Sequence, residues 1–312
     1  MPELIYLFPG QGSQYVGMGR DLAAEFPLAA QTFAEADAAL GFPLSRLCFA
    51  GPEEELRLTA NTQPAILAHS VAVARVLESR GLKPVRVAGH SLGEYSALVA
   101  AGGLEFADAL RAVRRRGELM QTAVPVGEGS MAAILGMSVE AVTALCADAA
   151  AGQAVCEPAN FNGGGQIVIA GHAAAVARAA ALATERGGRA VPLPVSAPFH
   201  CRLMMPAQKG LEPVLHSLTF RRLRCPLLSN VDAEPLDDPE TARQALIRQV
   251  TSPVQWEKTM RHLLAHGEAV ICELGPGRVL CGLVRRMDRS RKCFSLDGAE
   301  SVRAALPELG AA

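Results

Sequence analysis

The chain has 312 residues and balances 30 Lys plus Arg against 31 Asp plus Glu, which gives nucleic acid or an anionic lipid surface no broad basic field to recognise. Half of the residues are apolar, yet no uninterrupted apolar run reaches the roughly 18 residues that a membrane-spanning helix requires. The length suits one large core with a smaller inserted or appended domain, and Met1 to Phe8 shows no basic, cleavable leader pattern, so a soluble protein of the cytoplasm is expected.

Leu4 to Phe8 is a short apolar run ending in Pro9-Gly10-Gln11-Gly12-Ser13-Gln14, the pattern of a buried strand feeding a glycine loop. Helical stretches follow at Leu22 to Leu40 and Gln63 to Arg80, and Val85 to Ala88 is a second buried strand. The alternation continues through 97–103 and 106–124, which predicts an α/β fold with a helix-covered parallel sheet. From Gly129 to Val195 the order becomes strand 131–135, helix 139–150, strand 155–160, strand 167–170, helix 173–186 and strand 190–195. This β-α-β-β-α-β order is the ferredoxin-like pattern. Parallel-sheet signals resume at Pro226 to Asn230 and Ala269 to Leu274. The expected division is therefore a catalytic domain of residues 1–127 and 197–312 with an inserted domain of residues 128–196.

The eight cysteines, at 48, 146, 156, 201, 225, 272, 281 and 293, show no C-x-x-C spacing and no close histidine partner. That argues against a metal site or a disulfide framework and for scattered buried thiols.

Gly89-His90-Ser91-Leu92-Gly93 is a G-x-S-x-G between a strand and the helix Glu94 to Ala101, the context in which a serine is held on a sharp turn at the positive end of a helix dipole. The pentapeptide alone is common, and the strand-turn-helix setting is what favours a nucleophile. A serine hydroxyl needs a base. His69, His172, His216, His262 and His266 all lie in helical or helix-opening contexts that suit structural roles, and His90 would point away from its neighbour Ser91. His200, in Ala197-Pro198-Phe199-His200-Cys201 where the chain re-enters the large domain, has no such explanation and is the expected base. No Asp or Glu between Ser91 and His200 offers itself as a third member, so a dyad oriented by a backbone carbonyl is expected in place of a Ser, acid, His triad. Arg116 falls beside the apolar stripe of helix 106–120, and an inward guanidinium needs either an internal carboxylate or a substrate carboxylate.

Taken in order, Phe8-Pro9-Gly10-Gln11-Gly12-Ser13-Gln14, Gly89-His90-Ser91-Leu92-Gly93-Glu94-Tyr95-Ser96, Arg116-Gly117-x-x-Met120 and Pro198-x-His200 resemble the malonyl-CoA:acyl carrier protein transacylase family. Asn160-Phe161-Asn162 with Gly165-Gln166, Arg248-Gln249-Val250 with Pro253-Val254-Gln255-Trp256, and Glu273-Leu274-Gly275-Pro276-Gly277 extend the likeness over nearly the whole chain. The resemblance implies an α/β-hydrolase-like large domain with a ferredoxin-like insertion and the active site in the cleft between them. It implies Ser91 as nucleophile, His200 as base, the Gln249 backbone carbonyl orienting that base, the Gln11 and Leu92 N–H groups as oxyanion donors, and Arg116 as partner of a malonyl carboxylate. The implied reaction is ping-pong malonyl transfer from malonyl-CoA to the phosphopantetheine thiol of acyl carrier protein for fatty acid biosynthesis. It calls for no metal or redox cofactor and suits a monomer.

The chain departs from the family pattern at Gly163-Gly164, where Ser-Pro is usual, and at Arg202 and Met205, where a smaller residue and a lysine are common. A polyketide-serving acyltransferase, a malonyl-transferring decarboxylase subunit, an editing acyl hydrolase and a silent carrier-binding module are the competing readings. Arg116 weighs against the hydrolase, and the presence of Ser91, His200 and Arg116 together weighs against the silent module.

Overall fold

A computed structural model describes residues 2–195, 197–265 and 267–311. Met1 and Ala312 at the expected domain ends, Ser196 at the expected end of the insertion, and His266 lie outside the described residues.

Strand β1 (Leu4–Phe8) is buried along its whole length, as expected of a strand covered on both faces. The expected helix over 22–40 is two helices, α1 (Arg20–Glu25) and α2 (Pro27–Leu40). Phe26 between them is extended at φ −109°, the conformation that a following proline favours. Short helices α3 (Leu44–Ala50) and α4 (Glu53–Leu56) lead into α5 (Thr59–Ser79), which starts four residues before the expected one and is buried on nearly every side. Strand β2 (Pro84–Gly89), α6 (Gly93–Ala100) and α7 (Phe106–Thr122) complete the first half.

The chain then builds β3 (Gly129–Leu135), α8 (Val139–Ala149), β4 (Cys156–Gly163), β5 (Gln166–His172), α9 (Ala173–Glu185) and β6 (Arg189–Pro192). The last strand stops three residues short of the expected Val195. After a 3₁₀ turn at Arg202–Met204 come α10 (Met205–Ser217), the two-residue strands β7 (Leu227–Leu228) and β8 (Pro235–Leu236), α11 (Pro239–Gln249), α12 (Trp256–Leu264), β9 (Val270–Leu274), α13 (Val279–Met287), β10 (Cys293–Leu296) and α14 (Ala299–Glu308).

Among the described residues the strands form two sheets. The larger has the order β10-β9-β1-β2-β7-β8 and is parallel except for the β7–β8 pair at its edge. The smaller, β4-β5-β3-β6, is antiparallel throughout, with α8 and α9 packed on one face around Ile134, Leu145, Ile169 and Ala179. The mixed α/β class expected from the alternating periodicities is what the chain adopts. Strand β4 also touches the rest of the molecule: Phe161 N–H donates to Val254 O at 2.9 Å and Val254 N–H to Ala159 O at 2.9 Å.

One expectation needs correction. Cys281 and Cys293, read as separate thiols, are joined by a disulfide between α13 and β10. The β9-α13-β10 crossover folds the helix back over its strand and brings two cysteines twelve residues apart to a Cα separation of 5.7 Å. Cys48, Cys146, Cys156, Cys201, Cys225 and Cys272 are free thiols.

Candidate active site

The turn from β2 into α6 is tight enough to require glycine at both ends of its pentapeptide. A Cβ on Gly89 would lie 1.9 Å from Gly93 C, and one on Gly93 would lie 2.1 Å from Phe8 O. Ser91 at the apex has φ 52°, in the left-handed region that a non-glycine residue occupies only when its surroundings hold it there. Asn230, just beyond β7, supplies that hold: its Oδ1 accepts from Ser91 N–H at 2.7 Å and its Nδ2 donates to Gly89 O at 2.6 Å.

His200 also has positive φ, 59°. Its Nε2 stands 2.7 Å from Ser91 Oγ and its Nδ1 is 2.9 Å from the Gln249 carbonyl oxygen. A carbonyl can only accept, so Nδ1 carries the proton and Nε2 is left as the acceptor facing the serine. Burial, aided by the Arg116 charge, pushes the His200 pKa down to about 3, which keeps the ring neutral and able to take a proton.

Arg116, on α7, is 2 % exposed. Its guanidinium donates to Gln63 Oε1 at 2.8 Å, to Gln249 Oε1 at 2.9 Å and to Ser91 Oγ at 3.2 Å. These partners are all neutral, so the internal salt bridge that spacing left open is not what holds the side chain. Its Nε has no partner, and the Tyr95 ring lies 5.7 Å from its central carbon. Burial pulls its pKa below the usual range, and among the described residues no carboxylate bonds to it directly.

These side chains border a cavity of about 420 Å³ whose walls include Gln11, Leu92, Met120, Met131, Phe199 and His200. Leu92 caps α6, where backbone N–H groups have no intrahelical acceptor, and Gln11 lines the same cavity, its side chain fixed on Thr59 Oγ1 at 3.2 Å. An acyl carbonyl over Ser91 would therefore meet a base, a helix N-terminus and a buried cation. Such a set suits nucleophilic acyl transfer with an anionic acyl group.

The other histidines do other things. His90 Nε2 is 2.9 Å from Asn162 Oδ1 and its ring rests against Trp256, so it lines the cavity without bonding to the serine hydroxyl. His69 Nε2 meets Asp297 O at 2.7 Å inside the core, His172 Nδ1 accepts from Val155 N–H at 2.9 Å, and His216 lies 3.9 Å from Glu212 on the surface. The departing residues lie at the periphery. Arg202 pairs with Glu157 at 3.2 Å, and Met205 is exposed at the start of α10.

Three residues with a part in this geometry went unremarked in the sequence. Asn230 read only as a strand end, Gln63 only as part of a helix, and Glu94 only as part of a motif. Glu94 is fully buried; its Oε2 accepts from Gln249 Nε2 at 2.5 Å and its Oε1 from Asn230 N–H at 3.3 Å. A carboxylate three residues after the candidate nucleophile, directly after Gly93, is the signal that could have drawn notice.

Among the described residues no cluster of His, Cys, Asp or Glu could hold a metal ion, and no helix is long and apolar enough to cross a membrane. The acyl transferase domain family matches residues 5–303. The chain is 48 % identical to the malonyl CoA-acyl carrier protein transacylase of Escherichia coli K12, over 98 % of this chain and 99 % of that one. It is similar in structure to an acyl carrier protein S-malonyltransferase from Vibrio cholerae, with a TM-score of 0.94 and 48 % identity over 97 % and 99 % of the two chains. It is similar also to a malonyl-transacylase solved in complex with its type II polyketide synthase acyl carrier protein, with a TM-score of 0.95 and 45 % identity over 98 % and 99 %.

Proposed function

The chain belongs to the acyl transferase domain family, and we propose that it moves malonyl groups from malonyl-CoA to the phosphopantetheine thiol of acyl carrier protein by a ping-pong route through Ser91. The observation that carries this reading is Arg116: a buried guanidinium with neutral partners and a free Nε, 3.2 Å from the nucleophile, answers to an acyl group that brings its own carboxylate.

Ser91 Oγ attacks the thioester carbonyl while His200 Nε2 takes its proton, with the Gln249 carbonyl holding Nδ1–H and steadying the imidazolium. The oxyanion is received by the Gln11 and Leu92 N–H groups. Collapse breaks the carbon–sulfur bond, and the imidazolium proton goes to the departing coenzyme A sulfur. In the second half-reaction His200 takes the proton of the carrier thiol, its sulfur attacks the malonyl ester, and Ser91 Oγ leaves with that proton. Nucleophile, base, oxyanion donors and acyl-group partner all come from one chain, which supports a monomer working without metal or redox cofactor. Service to fatty acid biosynthesis in the cytoplasm completes the reading. The change from a parallel to an antiparallel sheet supports the division into residues 1–127 with 197–312 and an inserted 128–196.

Intact-mass measurement after mixing with malonyl-CoA, then holo acyl carrier protein, tests the reading. A malonyl adduct that maps to Ser91 and moves to the carrier thiol is expected. An adduct lost to water at the same rate with or without carrier would mark a hydrolase instead, and no adduct would remove the proposal.

A further inference from the structure

The malonyl-transfer reading explains Ser91, His200 and Arg116 but leaves unexplained a fully buried carboxylate behind them. Glu94 accepts from Gln249 Nε2 with one oxygen and from Asn230 N–H with the other. Gln249 Nε2 also donates to Ser91 O at 3.0 Å. A carboxylate and a carbonyl can only accept, so the amino end of the Gln249 amide has to face them both, and its oxygen is thereby turned to Arg116 at 2.9 Å. Reversal of that amide would set an N–H₂ against a guanidinium. Gln63 grips a different guanidinium nitrogen, so the orientation of the arginine depends on the polarity of two amides, of which Glu94 fixes one.

We infer that Glu94 is a positioning residue for the acyl carboxylate: through the Gln249 amide it fixes the Arg116 guanidinium and so sets the preference for malonyl over uncharged acyl donors. This rests on the malonyl-transfer reading. Glu94 does not border the cavity, and two features separate it from a residue that only stabilises the fold. Its strongest bond goes to the side chain that orients Arg116, while the bond toward the serine elbow, through Asn230 N–H, is the longer one. It is also coupled electrostatically to the buried arginine, whose charge offsets part of the burial that raises the Glu94 pKa to about 7.

The test compares single-turnover acylation by malonyl-CoA and acetyl-CoA in the unaltered protein, Glu94→Gln, Gln249→Leu and the double variant. Gln249→Leu keeps the backbone carbonyl on His200 and removes the amide. It is expected to lower the malonyl-to-acetyl ratio by about tenfold to a hundredfold, the worth of one hydrogen bond to a charged group. Glu94→Gln loses the charge-assisted acceptor and, whichever way its new amide turns, sets a donor against a donor at Gln249 or at Asn230. It should lower the ratio several-fold, about 3 to 10, and should lower it no further in the Gln249→Leu background, because its effect passes through that amide. Equal losses with both donors, or a Glu94→Gln effect undiminished by Gln249→Leu, would overturn the inference while leaving malonyl transfer intact. If Glu94→Gln does not fold, Gln249→Leu alone decides, an unchanged ratio sinking the inference. An unaltered protein that takes malonyl no better than acetyl would remove the function reading and this inference together.

Discussion

Ser91 and His200 lie 109 residues apart in sequence, meet at 2.7 Å, and both sit in left-handed backbone conformation, with φ 52° and 59°. The two partners of the proposed proton transfer are thus held where a side chain is least at ease, each with a polar neighbour: Asn230 for the serine and the Gln249 carbonyl for the histidine. Conformational cost concentrated at reacting groups is what a pre-set geometry entails.

Relief of that cost is measurable. Ser91→Gly and Ser91→Ala both remove the hydroxyl, but only glycine accepts φ 52° freely. The glycine variant should be more stable than the alanine variant by about 1 kcal/mol, the left-handed penalty less the extra chain entropy of glycine. Equal denaturant midpoints would show that the elbow is not under strain.

His200 makes a pH prediction of definite sign. Its native pKa is pushed down to about 3, below the ordinary 6.5, so between those values the unfolded chain binds more protons than the native one. Stability from this group therefore rises with pH from about 3 to 6.5 and is constant above. Acylation by malonyl-CoA in single turnover should likewise show no His200 limb near the ordinary histidine value; the titration near neutrality that bears on the site is that of Glu94, which burial raises to about 7. A limb at 6.5 that persists in Glu94→Gln would mean that the ring is solvated and the buried geometry wrong.

Arg116→Ala should lower malonyl acylation by about a hundredfold, as loss of a charge-assisted carboxylate contact implies, while acetyl acylation is spared or raised. Removing the cation also removes the second cause of the low His200 pKa, so the acid limb with acetyl-CoA should move upward. Parallel losses for both acyl donors would deny the arginine its selectivity role.

Gly163 and Gly164 take φ 79° and 58° in the β4–β5 turn, and a Cβ on Gly164 would lie 2.9 Å from Arg286 Cβ. Proline is fixed near −65°, so a Ser-Pro sequence could not follow this path. Gly164→Ala should cost about 1–2 kcal/mol in thermal or denaturant unfolding with little change in malonyl transfer. An unchanged midpoint would show that the turn relaxes freely.

What was legible in the sequence followed from local pattern. Period-two and period-3.6 runs gave both sheets, and the strand-turn-helix context singled out Ser91. What was not legible depends on pairs distant in the chain. Nothing near Glu94 reveals that it will be buried against Gln249, 155 residues on, nor does anything near Asn230 reveal that its amide will receive the Ser91 N–H. The break at Phe26 was open to reading, because Pro27 stood in the pattern. The Cys281–Cys293 bond was not, because it depends on how a crossover helix lies over its strand.

The pairing of β4 with the segment around Val254 has a mechanical sequel. His200 follows closely on the return from the four-stranded sheet, so a tilt of that sheet would drag the imidazole away from Ser91. The two rungs at Phe161 and Ala159, both made by Val254, weld the sheet to the segment that also carries Gln249, five residues upstream. His200 and the Gln249 carbonyl therefore ride on one chassis, and under the proposed reading room for a bulkier acyl group has to come from trimming the cavity wall, not from swinging the four-stranded sheet.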